Sequence, residues 1–275
     1  MGRVSGENFP VALRVLPASI RGHLLAIYGF ARLVDQLGDE APGDRLAHLS
    51  WLEGELDRAY AGRALHPVMV QLAMTLDELD LPRKPFCDLI EANRRDQVVT
   101  RYDSWEDLVD YCRYSANPVG RLVLGVFGVS TPERERLSDQ VCTGLQVVEH
   151  TQDIAQDAGR GRVYLPAQEM ARFGCGLDDL QGPSAGPALR AAVAMQCARA
   201  RALLGAGESL AGSLSGMARL AIAGFTAGGQ AALDSIERAD FDVLAVQCSP
   251  TRRDVFVHAA SILSKARRRG VGVWL

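Results

Sequence analysis

The segment His150-Thr-Gln-Asp-Ile-Ala-Gln-Asp157 carries two carboxylates four residues apart, Asp153 and Asp157, and runs directly into a stretch holding Arg160 and Arg162. A second segment, Leu33 to Glu40, repeats the spacing with Asp35 and Asp39. On an α-helix, residues i and i+4 share a face, where like charges repel by about 0.2–0.5 kcal/mol. Two such pairs facing each other would hold a hard divalent cation, most simply Mg²⁺. That ion favours carboxylate oxygens and keeps water and substrate phosphates as its other ligands. A metal held this way steadies a diphosphate as leaving group, and arginines beside it can grip the phosphate oxygens in a fork. The alternative is a solvated acidic face that binds nothing. Apolar approaches, Leu24 to Tyr28 and Leu145 to Val148, put each pair at the end of a core helix and favour the site.

These carboxylates need rigid elements to aim them, and the apolar periodicity is helical nearly throughout. No period-2 alternation is sustained, and no Asn-Gly or Asp-Gly turn joins β-branched runs. Helices are expected from Pro17 to about Glu40, from Arg45 to Ala61, from Pro67 to Leu79 and from Phe86 to Val99. Ser104 and Asp107 form a capping-box start for the next one. Pro118 kinks or restarts the chain. Thr131-Pro132-Glu133 opens the helix that leads to Asp153. Residues 158–166 and 180–187 read as loops, followed by helices over Ala188–Gly205 and Arg219–Ile236. Ser249-Pro250 starts the last helix. The glycine-rich stretch at 203–212 reads as a loop. With no repeat and no long linker, one all-α domain over residues 1–275 is the simplest organisation.

Composition sets the limits. The chain has 275 residues, 48% of them hydrophobic, and a formal net charge of −3, so a large core is available and bulk nucleic-acid binding is not indicated. No run of eighteen apolar residues suggests a membrane span, and Met1 to Pro10 lacks the apolar core of a signal peptide. Arginine far outnumbers lysine, as in a GC-rich bacterial genome. The six cysteines form no CxxC pair, so buried free thiols in a cytoplasmic protein are expected rather than zinc or disulfides. No dinucleotide-binding fingerprint is present. The C-terminal Ser264–Leu275 joins a basic cluster to an apolar end. It reads either as a solvated tail or as a peripheral contact with an anionic membrane surface at the inner face.

The stretches at 26–40 and 149–166 resemble the two aspartate-rich signatures of the squalene/phytoene synthase family, the head-to-head trans-prenyl synthases. Residues 7–17, 94–112 and 115–120 are similar to its N-terminal, middle and kinked-helix segments. Within the family, the chain is most similar to the bacterial hydroxysqualene synthase branch. The resemblance implies an all-α isoprenoid-synthase bundle around a central apolar cavity, with Mg²⁺ held by Asp35, Asp39, Asp153 and Asp157. It implies presqualene diphosphate, or another prenyl diphosphate, as substrate, and pathway enzymes upstream and downstream. By position, Arg32 matches the arginine before the first motif. Asp96, Tyr111, Gln146, Arg162 and Tyr164 match residues lining the family's cavity.

Some positions depart from the pattern. Gln36 stands where many members have a second Asp, Glu149 where an asparagine is common, and Gln152 where an arginine is common. Gly6-Glu7-Asn8 replaces a Ser-Lys-Ser phosphate contact, and Gly229 stands in for a tyrosine. These changes remove cationic or hydroxyl donors. They suit an enzyme that ionises one diphosphate and lets water capture the cation, with Gln152, Glu149 and Tyr164 as candidates to orient that water. His150 reads as structural. A phytoene- or squalene-type condensation of two prenyl diphosphates, and a non-catalytic binding or assembly protein, are the alternatives.

Overall fold

The computed structural model describes residues 16–271, and all its regular elements are helices. Helix α1 (Ala18–Asp35) starts after Pro17, whose extended backbone lies outside the helix. Its apolar stripe, Leu24, Ile27, Phe30 and Val34, is buried. Beyond Asp35 the helix widens over Gln36–Glu40, where the Ala41 N–H donates to the Gln36 carbonyl five residues back, at 2.9 Å. Such wide turns recur at functional sites. Helix α2 (Arg45–Tyr60) is capped by the Asp44 carboxylate, and α3 (Pro67–Glu78) has proline in its first turn, where no N–H is missed.

Helix α4 (Arg83–Arg95) buries Phe86, Leu89 and Ile90 and ends beside Asp96. The expected capping box opens α5 (Trp105–Ser115): Asp107 N–H donates to Ser104 Oγ at 3.1 Å, and Ser104 N–H to Asp107 Oδ2 at 3.0 Å. The chain breaks at Ala116 and restarts as α6 (Asn117–Val126), the kink expected at Pro118. Helix α7 (Pro132–Gln152) is capped by Thr131 and stops at Asp153; α8 (Ile154–Gly159) follows at once.

The second half adds α9 (Ala167–Phe173), α10 (Pro187–Leu204), α11 (Ala206–Gly212), α12 (Gly216–Arg238) and α13 (Arg252–Val271). Two of these correct the sequence reading. The glycine-rich 203–212 stretch is not a loop, because α11 runs through it. Its Gly207 sits so close to Thr226 on α12 that a Cβ there would overlap the threonine side chain. Helix α9 was not anticipated. It is fixed by Glu169, a buried carboxylate that accepts from Gln196 and Arg199 on α10.

The core has two parts. One gathers α1 to α4, α6, α11 and α13 around Phe30 and Phe86, whose rings meet edge to face at 5.1 Å. The other gathers α5, α7 and α10 around Tyr111, Val147, Leu189 and Val193. Helix α12 serves both, with Ala221 and Ala223 in the first and Ala232 and Ile236 in the second. Its small residues allow close packing. At Gly229 a Cβ would come within 2.6 Å of Leu145 Cδ2 and 3.0 Å of Leu204 Cδ1. The space a tyrosine would need there is therefore filled by leucines.

Two of the hollows among the described residues lie close to the aspartate-bearing segments and the tyrosines. One, about 430 Å³, lies against the widened end of α1, between Leu33, Leu37, Trp51 and His66. The other, about 370 Å³, has mostly polar walls and lies beside Tyr102 and Tyr111. No described helix is long and apolar enough to cross a membrane, and all six cysteines are free. Residues 1–15 and 272–275, and the side chains of 267–271, lie outside the described residues. They include Gly6-Glu7-Asn8 and most of the basic tail. Within the tail, Lys265 pairs with Glu208 at 2.6 Å.

Candidate active site

Asp35 closes α1 and Asp39 stands in the wide turn that follows, so both point from the end of one core helix. Asn93 Nδ2 donates to Asp35 at 3.4 Å, and Arg32 lies 3.9 Å from it. About half of its side chain is exposed. Gly38, between the aspartates, packs against Asn93 with no room for a Cβ, and its carbonyl accepts from Gln97 at 2.9 Å. Asn93 on α4 and Gln97 in the turn just after that helix thus brace the turn that carries Asp39.

The second pair is built differently. Asp153 lies at the break between α7 and α8, and Asp157 lies in the first turn of α8. The Asp157 N–H still donates to the Asp153 carbonyl, at 2.8 Å, so the i,i+4 relation survives the break. The expectation of one continuous helical face is corrected to a helix junction. Burial pushes the Asp153 carboxyl above its usual range, and the neighbouring Asp157 charge adds to that rise.

A parallel β-bridge between Arg101 and Val163 brings the segment after the second motif alongside the segment after Asp96. Arg162 is thereby delivered to the first motif. Its Nη2 donates to Asp39 Oδ1 at 2.7 Å and lies 3.5 Å from the Asp96 carbonyl. Burial opposes the guanidinium charge, but the bond to Asp39 together with the nearby Tyr164, Asp39 and Asp96 groups outweighs it, and the guanidinium is held above its usual range. This contact, across 123 residues of chain, joins the two motifs.

Behind it lies an aromatic group. The Tyr111 hydroxyl donates to Asp96 Oδ2 at 2.7 Å. The Tyr164 ring is 5.7 Å from the rings of both Tyr111 and Tyr102. His150 stacks on Tyr164 with centroids 3.6 Å apart and planes 10° apart. His150 also lies 3.2 Å from Gln146 Nε2 and 3.8 Å from Asp157 Oδ2. Asp96 is buried, and burial raises its carboxyl to about 6 even though the Tyr111 hydrogen bond works the other way.

The geometry therefore gathers Asp39, Arg162, Asp96, Tyr111, Tyr164, Gln146 and Asp157 into one connected region, with Asp35 and Arg32 at its exposed edge. Two candidates stand apart. The Gln152 amide donates to the Cys248 carbonyl at 2.5 Å, and Glu149 is exposed. Sequence reasoning missed Asn93, Gln97 and Tyr102. It read His150 as merely structural, although the i,i+4 relation to Gln146 put that histidine on the same face of α7.

Among the described residues, no three His, Cys, Asp or Glu side chains lie close enough together to form a complete protein cage for a metal. Magnesium rarely needs one, since one or two carboxylates suffice when substrate phosphates complete the shell. The donors are hard oxygens, and Asp153 is strained by a like charge that a dication would relieve. The residues fit such an ion.

Comparison with known proteins identifies the family and the fold. The squalene/phytoene synthase family model matches residues 3–255. A hydroxysqualene synthase of Rhodopseudomonas palustris is 38% identical over 213 residues, covering 76% of this chain and 71% of that protein. One from Sinorhizobium fredii is 36% identical over 208 residues, 74% of this chain and 70% of its own. Among solved structures, the squalene synthase HpnC of Alicyclobacillus acidocaldarius superposes with a TM-score of 0.80 at 46% identity, over 86% of this chain and 90% of that one. A dehydrosqualene synthase, at 22% identity and a TM-score of 0.86 over 96% of this chain and 93% of that one, shares the fold. The chain belongs to the squalene/phytoene synthase family.

Proposed function

We propose that this chain converts presqualene diphosphate to hydroxysqualene, a step of squalene and hopanoid biosynthesis. The choice of reaction rests on its likeness to the hydroxysqualene synthases. The observation that supports the site is the 2.7 Å contact of Arg162, on the segment that follows the second aspartate pair, with Asp39 of the first.

Asp35, Asp39, Asp153 and Asp157 would hold Mg²⁺, which supplies charge neutralisation for the departing diphosphate. Arg162 and Arg32 add charge-assisted hydrogen bonds to its oxygens. When the C–O bond breaks, its electron pair leaves with the diphosphate and a cyclopropylcarbinyl cation remains. Rearrangement and addition of one water complete the reaction without a reductant. An apolar channel for the C30 chain, a cytoplasmic location and peripheral contact with the membrane belong to the same proposal, because substrate and product both partition into lipid.

A second reading within the family is condensation of two prenyl diphosphates. It is favoured by the match to a phytoene synthase of Mycobacterium tuberculosis, 30% identical over 174 residues, 62% of this chain and 57% of that protein. Purified protein with Mg²⁺ separates the two readings. A C30 alcohol from presqualene diphosphate without reductant is the expected result. A product made from farnesyl diphosphate alone would overturn it in favour of condensation.

A further inference from the structure

Two buried oxygen atoms in the aromatic group have no protein partner: Asp96 Oδ1 and the Tyr102 hydroxyl. The residues are 8% and 6% exposed. An unpaired buried polar atom costs about 1–3 kcal/mol, and a water bonded to several such atoms removes that cost. The two oxygens belong to one neighbourhood. Asp96 Oδ2 accepts from the Tyr111 hydroxyl at 2.7 Å, and the Tyr111 ring lies 5.3 Å from the Tyr102 ring. After burial, the Asp96 charge is the largest influence on the Tyr102 hydroxyl. Tyr102 and Tyr111 also form one wall of the 370 Å³ hollow, whose other walls include Arg95, Arg101, Asp103 and Asp110. That polar hollow, lined in part by Asp107, Asp110 and Tyr111 of α5, gives water an approach.

Building on the reaction proposed above, we infer that Asp96 and Tyr102 hold the water that adds to the cation, and that Asp96 is the base that takes its proton. A lone pair of the water oxygen forms the new C–O bond. One O–H bond breaks, its electron pair stays on oxygen, and the proton passes to Asp96 Oδ1. Nothing is oxidised or reduced. The proton then leaves through the polar hollow. A carboxyl raised to about 6 by burial is matched to this task near neutrality. The residues first considered for the water serve less well, since the Gln152 amide is bound to the Cys248 carbonyl and Glu149 is exposed.

The test follows two quantities with presqualene diphosphate and Mg²⁺: diphosphate released, and the ratio of C30 alcohol to C30 hydrocarbon by mass. Asp96→Asn and Tyr102→Phe both keep the shape of the site. The expected result is continued diphosphate release, with the alcohol share falling at least ~10-fold in Asp96→Asn and roughly threefold in Tyr102→Phe. Hydrocarbon formed by proton loss would replace the alcohol. An unchanged alcohol share in Tyr102→Phe, or in an Asp96→Asn protein that still releases diphosphate, overturns the inference. If Asp96→Asn stops diphosphate release, the share in Tyr102→Phe decides. A wild-type protein that makes no alcohol overturns the proposed reaction and this inference with it, which separates the two failures.

Discussion

The two aspartate pairs share a spacing but differ in their surroundings. The first stands on a widened helix end, half open to solvent, and its Asp39 already has a guanidinium partner in Arg162. The second stands at a helix break, is more deeply set, and faces its own like charge, which with burial lifts Asp153 above the usual carboxylate range. One pair is partly neutralised by the protein and the other is left needing a cation. On the proposed function, the second pair would take the larger share of metal binding, and the first the larger share of joining metal, arginine and substrate.

The largest effect should come from breaking the second pair. Asp153→Asn is expected to lower diphosphate release from presqualene diphosphate by about three orders of magnitude, the loss of several kcal/mol of charge stabilisation. The companion Asp35→Asn should cost less, because Asp35 is the more exposed. Equal losses in the two would break the comparison.

Next comes the contact between Arg162 and the first pair. Arg162→Gln removes a part-buried charge-assisted bond and is expected to reduce kcat/KM by roughly 100-fold. Arg162→Lys should recover little, since a point charge does not reproduce a planar fork. Full activity in the lysine variant would show that only net charge matters at this contact.

A pH effect on stability sharpens the picture of the buried carboxyl behind the pairs. Asp96 faces Tyr111, Arg162, Asp39 and Asp35, and burial raises it to about 6 in the folded protein, against about 3.9 when unfolded. The folded state therefore binds more protons between these values, and stability falls as pH rises from about 4 to about 6. The penalty above pH 6 is of order 3 kcal/mol. Asp96→Asn should gain on the wild type by up to that amount between pH 4 and 7, read from denaturant unfolding at each pH. Parallel pH profiles for the two proteins would refute the assignment.

The smallest effect concerns the brace of the first pair. Gly38→Ala puts a Cβ into the Asn93 carboxamide and should destabilise by about 1–3 kcal/mol. It should also weaken activity, because Asn93 supports Asp35. An alanine variant with unchanged midpoint and turnover would show that the turn can relax without consequence.

Much of this architecture was legible in the chain. The caps at Ser104 and Thr131, the break near Pro118 and the helical periodicity all rest on local rules, and local hydrogen bonding enforced them in the fold. Helices α9 and α11 were not legible. The first depends on a buried Glu169 bonded to α10, and the second on glycines that let it press against α12. The four aspartates and Arg162 could be chosen by spacing and resemblance. Tyr102 and Asn93 could not, since their roles come from contacts made by other segments.

By itself, then, the sequence determined the helices, their caps and the two carboxylate pairs, because those follow from interactions within about one turn of chain. Only the tertiary structure decided that Arg162 meets Asp39, that His150 stacks on Tyr164, and that Asp96 and Tyr102 are buried with oxygens to spare. Those pairings join segments far apart in the chain, as where the Arg101–Val163 bridge carries Arg162 to Asp39, and long-range packing leaves no local signature in the chain.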